Sequence, residues 1–538
     1  MSDSTPSFPA VTYSEWRRRV ERELGGAGFD ATLVTTLPEG IAVQPLYVDH
    51  PRSCRQPRLP AAGGLGWHVC PRYEAALPEQ AGEQVTEDLA GGATALWLRL
   101  DRAARAGVDA DDLAAGRLAG RDGVAAHHLD AVDAALAGAR LDAVPLLVDP
   151  GANALPVAAT LLALVERRGL DGGDAELHFG CDPLAALAHD GRVPASLQDL
   201  RVEMRRLAGL CDARLPAATA VTVSDLPWNA AGGSAAEELG MAGATLVEYL
   251  RWMDGEGLDP EGAAPRVLLR SAVDRDLFVG IAKLRALRLL WAKIVRAAGV
   301  AAPPPARIHG VTAERPLAAR DPWLNMLRAT TQTFAAVAGG ADYVTTAAWD
   351  GPLGTPSPGA RRLARNTQTI LGEESALGRV LDPAGGSHYL ERLTDDLARR
   401  GWAVMREIEA AGGAAAVLSS GWLARRLAAS RETRRAAGTP AIPGADAAPD
   451  PGAMLPERPA EDPGAVADEL ARRLREHRRE RAGELDLEAA GALDRIAALV
   501  EMAARGATLG EISAALRRTC CETLEALPRH RDGEELAS

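Results

Sequence analysis

RVLLRSAVDRDLFVGIAKLRALRLLWAKIVRAAG, residues 266–299, reads as one strand followed by one helix. RVLLRS (266–271) is a short β-rich run without strict alternation, as expected where both faces of a parallel sheet are covered. Beyond it, Ile281, Leu284, Leu287, Trp291 and Ile294 fall three or four apart, the period of a helix with one apolar stripe. Lys283, Arg285, Arg288 and Lys293 lie mostly off that stripe and read as a solvated helix face.

The same unit recurs on both sides. ALWLRL (95–100), VPLLVD (144–149), AELHFG (175–180), AVTVSD (220–225), ARIHGV (306–311) and DYVTTA (342–347) are further strand candidates separated by helical segments. With RVLLRS they make seven, and an eighth is expected in the irregular region 101–143. The fold class is α/β, and the repetition fits a (β/α)8 TIM barrel better than an open doubly wound sheet, the alternative. No G-x-G-x-x-G or G-x-x-x-x-G-K-[ST] loop follows any strand. After residue 400 only helical patterns remain, near 391–411, 464–480 and 487–504, interrupted by a Pro/Ala-rich linker at 436–465; RHRDGEELAS (529–538) reads as a frayed tail. The organisation expected is an N-terminal arm over 1–60, a barrel over 61–400 and a C-terminal helical connector over 401–538.

Composition bounds the partners. The chain has 538 residues, 47% of them hydrophobic and only 4% aromatic, so Ala, Leu and Val must fill the core. A net charge of −13 repels a polyanion and argues against nucleic acid. No leader-like N-terminus and no apolar run of about 18 residues is found, so a cytoplasmic protein with no membrane partner is expected. Cys54, Cys70, Cys181, Cys211, Cys520 and Cys521 form no C-x-x-C pair and read as free thiols. His127, His128 and His189 have no nearby sequence spacing for a metal site, and no metal is expected in this chain.

Five strings resemble signatures of the methylmalonyl-CoA mutase family, in the family's order: PEGIAVQPLY (38–47), DPWLNMLR (321–328), ARNTQTILGEES (364–375), GRVLDPAGGSHYLERLT (378–394) and ARGATLGEISAALR (504–517), with the run Ile281 to Lys293 between the first two. The bland reading of each is packing. The resemblance implies radical chemistry started by adenosylcobalamin, which supplies the difficult step, while the protein positions substrate and excludes water. It also implies a His near the thioester carbonyl and, on the chain that binds cobalamin, a D-x-H-x-x-G motif.

Neither histidine signature is found. None of the ten histidines sits in D-x-H-x-x-G, and no cobalamin-binding domain is expected here. The family's Tyr-His place is held by Leu226 and Pro227, and proline has no side-chain donor or acceptor. Two family Gln positions fall around Gly180-Cys181-Asp182 and at Val311 after His309-Gly310, and a family Tyr is missing from Leu59 to Gly66, before Trp67. Arg266 matches an arginine that contacts the CoA substrate in active relatives, with a salt bridge at a strand start as its alternative; Leu268 has replaced the Ser two places on.

The resemblance therefore points to the small, non-catalytic subunit of a heterodimeric methylmalonyl-CoA mutase. A larger partner chain would hold adenosylcobalamin and acyl-CoA and interconvert methylmalonyl-CoA and succinyl-CoA. The alternatives are the catalytic barrel of a split acyl-CoA mutase with a separate cobalamin-binding chain, and a scaffold docked on such complexes.

Overall fold

The computed structural model describes residues 11–49, 65–116, 118–255, 257–436, 462–481 and 495–516. Cys54, Cys520, Cys521, the stretch 59–64, most of the linker 436–465, residues 487–494 of the last expected helix and the tail lie outside the described residues.

The strands, in chain order, are β1 (Thr35–Thr36) and β2 (Ala42–Val43), a short antiparallel pair, then β3 (His68–Val69), β4 (Arg72–Tyr73), β5 (Leu96–Arg99), β6 (Leu146–Asp149), β7 (Leu177–Cys181), β8 (Thr219–Ser224), β9 (Val267–Val273), β10 (Arg307–Thr312) and β11 (Tyr343–Thr345). The large sheet runs β3-β11-β10-β9-β8-β7-β6-β5-β4, parallel throughout. Its two ends, β3 and β4, are separated only by Cys70 and Pro71, so they are halves of one strand and the sheet closes on itself with eight staves. This is a (β/α)8 barrel, and the open sheet falls away.

The eighth strand is not in 101–143. That region has helices and turns and a single bridge, Leu100 to Val124; the missing strand is His68–Tyr73, before ALWLRL. Pro71 cannot donate to the ladder, and a proline within a run argues against a central strand, so HVCPRY carries little strand signal.

The charged helix face is also corrected. In the helix Leu277–Ala297, Lys283 and Arg288 are buried, Arg285 is half-buried, and Lys293 is exposed. Arg288 donates to the carbonyls of Ala306 and Gly340 and to Asp342, and Arg285 pairs with Asp382 and Glu391. The helix is covered on two sides, by the barrel and by the helix His388–Ala410, which runs unbroken across residue 400. That last helix also packs tightly on Ala235–Gly255: a Cβ at Gly240 would lie 2.5 Å from Val404, and one at Gly401 2.7 Å from Leu239.

The C-terminal helices dock beside β5. Leu470 and Leu474 of the helix Pro463–Glu480 pack on Ala103, Ala110, Ala115, Ala119 and Ala125. Asp109 is the anchor, accepting from Arg478, from the Thr508 hydroxyl and from Gly510 N at 3.0 Å. His127 lies between Asp101 (3.4 Å) and Asp109 (3.7 Å); burial opposes its charge, but the two carboxylates hold its pKa up at about 10. Its neighbour His128 stacks on His477 with ring centroids 3.7 Å apart.

Burial, and then His477 facing it, push the His128 pKa down to about 3. As pH falls below about 6.5 the unfolded chain binds this proton and the folded chain does not, so stability is lost from about pH 6.5 down to about 3. His128→Gln should therefore flatten the pH dependence of unfolding over that window by up to about 1.4 kcal/mol per pH unit. Urea melts at a series of pH values check this, and an unchanged slope would contradict it.

Candidate functional site

In most barrels of this kind, chemistry sits at the C-terminal ends of the strands, over a filled interior. Here the interior is packed with large and polar side chains. Trp97 (β5) meets His309 (β10) edge-on at 4.9 Å, and the Arg270 guanidinium (β9) lies 4.5 Å from the Trp97 ring centroid. Arg270 Nε donates to His309 Nδ1 at 3.2 Å, and His309 Nε2 shares a 2.8 Å hydrogen bond with Thr345 Oγ1. Burial and then Arg270 drive the His309 pKa well below its usual value, which keeps this ring neutral. Toward the N-terminal end, the Tyr343 hydroxyl donates to Glu176 and lies 2.9 Å from His178 Nε2, while His68 stacks on the Tyr343 ring at 5.1 Å. Cys70, Leu147, Leu268 and Val311 fill the remaining space.

At the C-terminal mouth, five strand ends carry a carboxylate, and each has a partner within the chain. Asp149 takes Arg99 at 3.2 Å, and Glu314 takes Arg72 at 2.6 Å. Asp274 takes Arg315 and Asn229. Asp182 accepts from the Tyr249 hydroxyl, from Ser224 N at 2.9 Å and from Ala185 N at 3.2 Å; burial nonetheless pushes its pKa up to about 7. Asp225 accepts from Ser271 Oγ and Ala272 N, both at 2.6 Å, and from Lys283 at 2.7 Å, and Lys283 also pairs with Glu238. Sequence reasoning missed this ring. Its signal was there, since VPLLVD, HFGCD, TVSD, SAVD and VTAE each run from apolar strand residues into an acid.

Leu226 and Pro227 follow Asp225 directly and open the short helix Leu226–Ala230. The Leu226 side chain packs on the Trp97 cluster from above, and Pro227 is buried. Leu226 and Pro227 thus form an apolar cap over the bore. Val311 is part of the same filling.

Arg266, expected as a substrate contact or as a salt bridge at a strand start, sits among backbone carbonyls with one carboxylate nearby. Arg266 is buried at the N-terminal end of β9, and its Nη1 donates to the carbonyls of Cys211, Leu215, Pro216 and Ala218 at 3.1 to 3.3 Å. Asp212 is 3.6 Å away. These carbonyls end and follow the helix Leu197–Arg214, where orphan acceptors and the negative end of the helix dipole favour a cation. Arg266 works there as a clamp, at the far end of the barrel from the strand-end loops.

A partly open space of about 60 Å³ lies at the mouth between β3, β4, β10 and β11, lined by Arg72, Glu314, Thr345 and Gln368 among others. It would hold about two waters. Among the described residues, two groups near the barrel have metal-ligand chemistry. In the first, His128, Asp130 and His477, the stacked rings put the lone pairs in separate, nearly parallel planes that do not converge on one ion. In the second, Asp122, His189 and Asp190 already share the cations Arg99 and Arg105.

One family profile, methylmalonyl-CoA mutase, matches residues 55–522. The chain belongs to the methylmalonyl-CoA mutase family. It is 40% identical over 446 residues to the methylmalonyl-CoA mutase small subunit of Streptomyces virginiae, covering 80% of this chain and 68% of that one. It is 32% identical over 429 residues to the small subunit of Propionibacterium freudenreichii subsp. shermanii, covering 76% and 63%. It is 30% identical over 430 residues to the large subunit of Streptomyces virginiae, covering 77% of this chain but 58% of that protein. A family of this name is one of isomerases, and relatives named small and large subunit imply two-subunit mutases.

Within the mutase barrel, the five signature strings act as structural staples. Asn325 bonds Ala318 at both N and O and the carbonyl of Trp349, and Trp323 stacks on Trp349 at 4.0 Å. Gln368 joins Trp67 Nε1 to the Val344 carbonyl, and Arg365 pairs with Asp88. Tyr47 of the first string meets Tyr389 at 5.3 Å, and Thr508 of the last reaches Asp109. The mutase family is generally cobalamin-dependent; among the described residues, the four histidines in and around the bore are already engaged within the chain. His178 and His309 are bonded at both ring nitrogens, His68 holds the Thr94 carbonyl, and His189 lies between Asp190 and Arg99.

Proposed function

We propose that this chain is the small, non-catalytic subunit of a heterodimeric, adenosylcobalamin-dependent methylmalonyl-CoA mutase of the cytoplasm. Its larger partner would bind the cobalamin and the acyl-CoA and carry out the interconversion of methylmalonyl-CoA and succinyl-CoA. One observation carries the reading: the barrel interior is occupied by Trp97, Arg270, His309 and Tyr343, and its mouth is capped by Leu226 and Pro227 where the family's His would stand. A thioester chain has no path through such a bore, and no free imidazole waits at the mouth among the described residues. Names of relatives agree with this role.

The test is to purify this chain alone and together with a large mutase subunit. The expected outcome is a stoichiometric complex that turns over methylmalonyl-CoA with adenosylcobalamin, and no turnover above background by this chain alone. Turnover by this chain with adenosylcobalamin and no large subunit would overturn the proposal.

A further inference from the structure

The outer edge of the helix Leu277–Ala297 and that of His388–Ala410 border a groove of about 670 Å³ on the outside of the barrel. Its floor is apolar, made by Leu289, Leu290, Ala292, Ala398 and Trp402, and its flanks carry Lys293, Arg296, Arg399 and Arg406 against the single acid Asp395. Asp395 is already held by Arg399 at 2.7 Å. Lys293, Arg296 and Arg406 have no acidic partner among the described residues; Lys293 lies instead over the Trp402 ring, 3.8 Å from its centroid. The other cations of the same helix behave differently, since Lys283, Arg285 and Arg288 are each matched to a carboxylate.

Three unanswered cations beside an apolar floor are out of keeping with a chain of net charge −13. Like charges gathered on one face repel one another, and the arrangement becomes favourable when an anionic surface covers it. The lining of His388–Ala410 runs from Asp395 to Arg406 at intervals of three and four, about 17 Å of helix at 1.5 Å per residue. That length is about three helical turns, enough to receive another helix, with apolar anchors at helical spacing and charges on the flanks.

We infer that this groove docks an acidic amphipathic helix of a partner polypeptide, its apolar stripe on Trp402 and Leu289 and its carboxylates on Lys293, Arg296 and Arg406. The surface lies on the outside of the barrel, and the inference holds whether or not the barrel itself is catalytic.

Fluorescence anisotropy tests it with a labelled peptide of Glu, Ala and Leu, about 14 residues or four helical turns long, with leucines at helical spacing. The full chain should bind this peptide at low salt, and the triple variant Lys293→Glu, Arg296→Glu, Arg406→Glu should bind at least about tenfold more weakly. All three positions are exposed, so the variant should keep the parent's melting temperature. If it does not fold, the neutral triple Lys293→Gln, Arg296→Gln, Arg406→Gln should show a smaller loss in the same direction. A scrambled peptide of equal charge but no apolar stripe should also bind more weakly. The inference is overturned if the helical peptide does not bind, if the folded variants bind it as well as the parent, if the scrambled peptide is equivalent, or if ADP displaces it, which would make the groove a nucleotide site.

Discussion

Replacing Lys283 with methionine should destabilise the protein by about 3–5 kcal/mol, among the largest effects of any single substitution here. Lys283 is buried, with Asp225 at 2.7 Å on one side and Glu238 on the other. Removing the ammonium leaves two buried carboxylates facing each other, and an uncompensated buried charge costs far more than an exposed pair is worth. Burial already raises the Glu238 pKa, and Lys283 acts against that rise. Without the lysine the carboxyl can escape by taking up a proton, so the loss should be smaller near pH 5 and grow toward pH 8. Denaturant unfolding at the two pH values reads both effects. A loss below about 1 kcal/mol at pH 8 would show that Asp225 and Glu238 are not held as a buried triad. Asp225 directly precedes Leu226 and Pro227, so the corner they form is braced by an ion pair.

The second large effect belongs to the bore. Trp97→Ala should cost about 3–5 kcal/mol, the usual range for deleting a buried aromatic side chain. Trp97 is fully buried and makes the face against which Arg270 and the edge of His309 rest. The cavity would leave Arg270 without its aromatic surface, next to a ring that is neutral because the site is dry and cationic. Calorimetry or chemical unfolding measures the cost. On the role proposed above, the variant should also gain no mutase activity. A variant of parental stability would mean that Trp97 does not support the interior, and would weaken the argument that the bore is closed.

Much of this was legible beforehand. All seven strand runs read from local pattern are strands, because a parallel sheet covered on both faces writes its burial directly into short apolar segments. The strand that was missed, His68–Tyr73, is one whose pattern is broken by Pro71 and by the half-polar sequence around it; it is held by closure of the barrel, between β11 and β5. The mutase strings were also readable, and the bland packing reading suits them well: Asn325, Gln368 and Thr508 are bonded within the protein.

The charged residues were misread where the neighbour lay far away in the chain. Helical spacing tells which side of Leu277–Ala297 is apolar, but it says nothing about a second helix, more than a hundred residues later, that covers the polar side and buries Arg285 with Glu391. For the same reason the four backbone carbonyls around Arg266 could not be read beforehand, since such groups carry no side-chain signal in any sequence.

Sequence alone was enough to settle the barrel class and the family, because each is written in local pattern or in residue identity. Whether the barrel is hollow or filled, which cations are matched and which three are left facing solvent on one groove could be decided only in three dimensions. Those properties depend on what each side chain meets across the fold, and burial and pairing are set by distance in space.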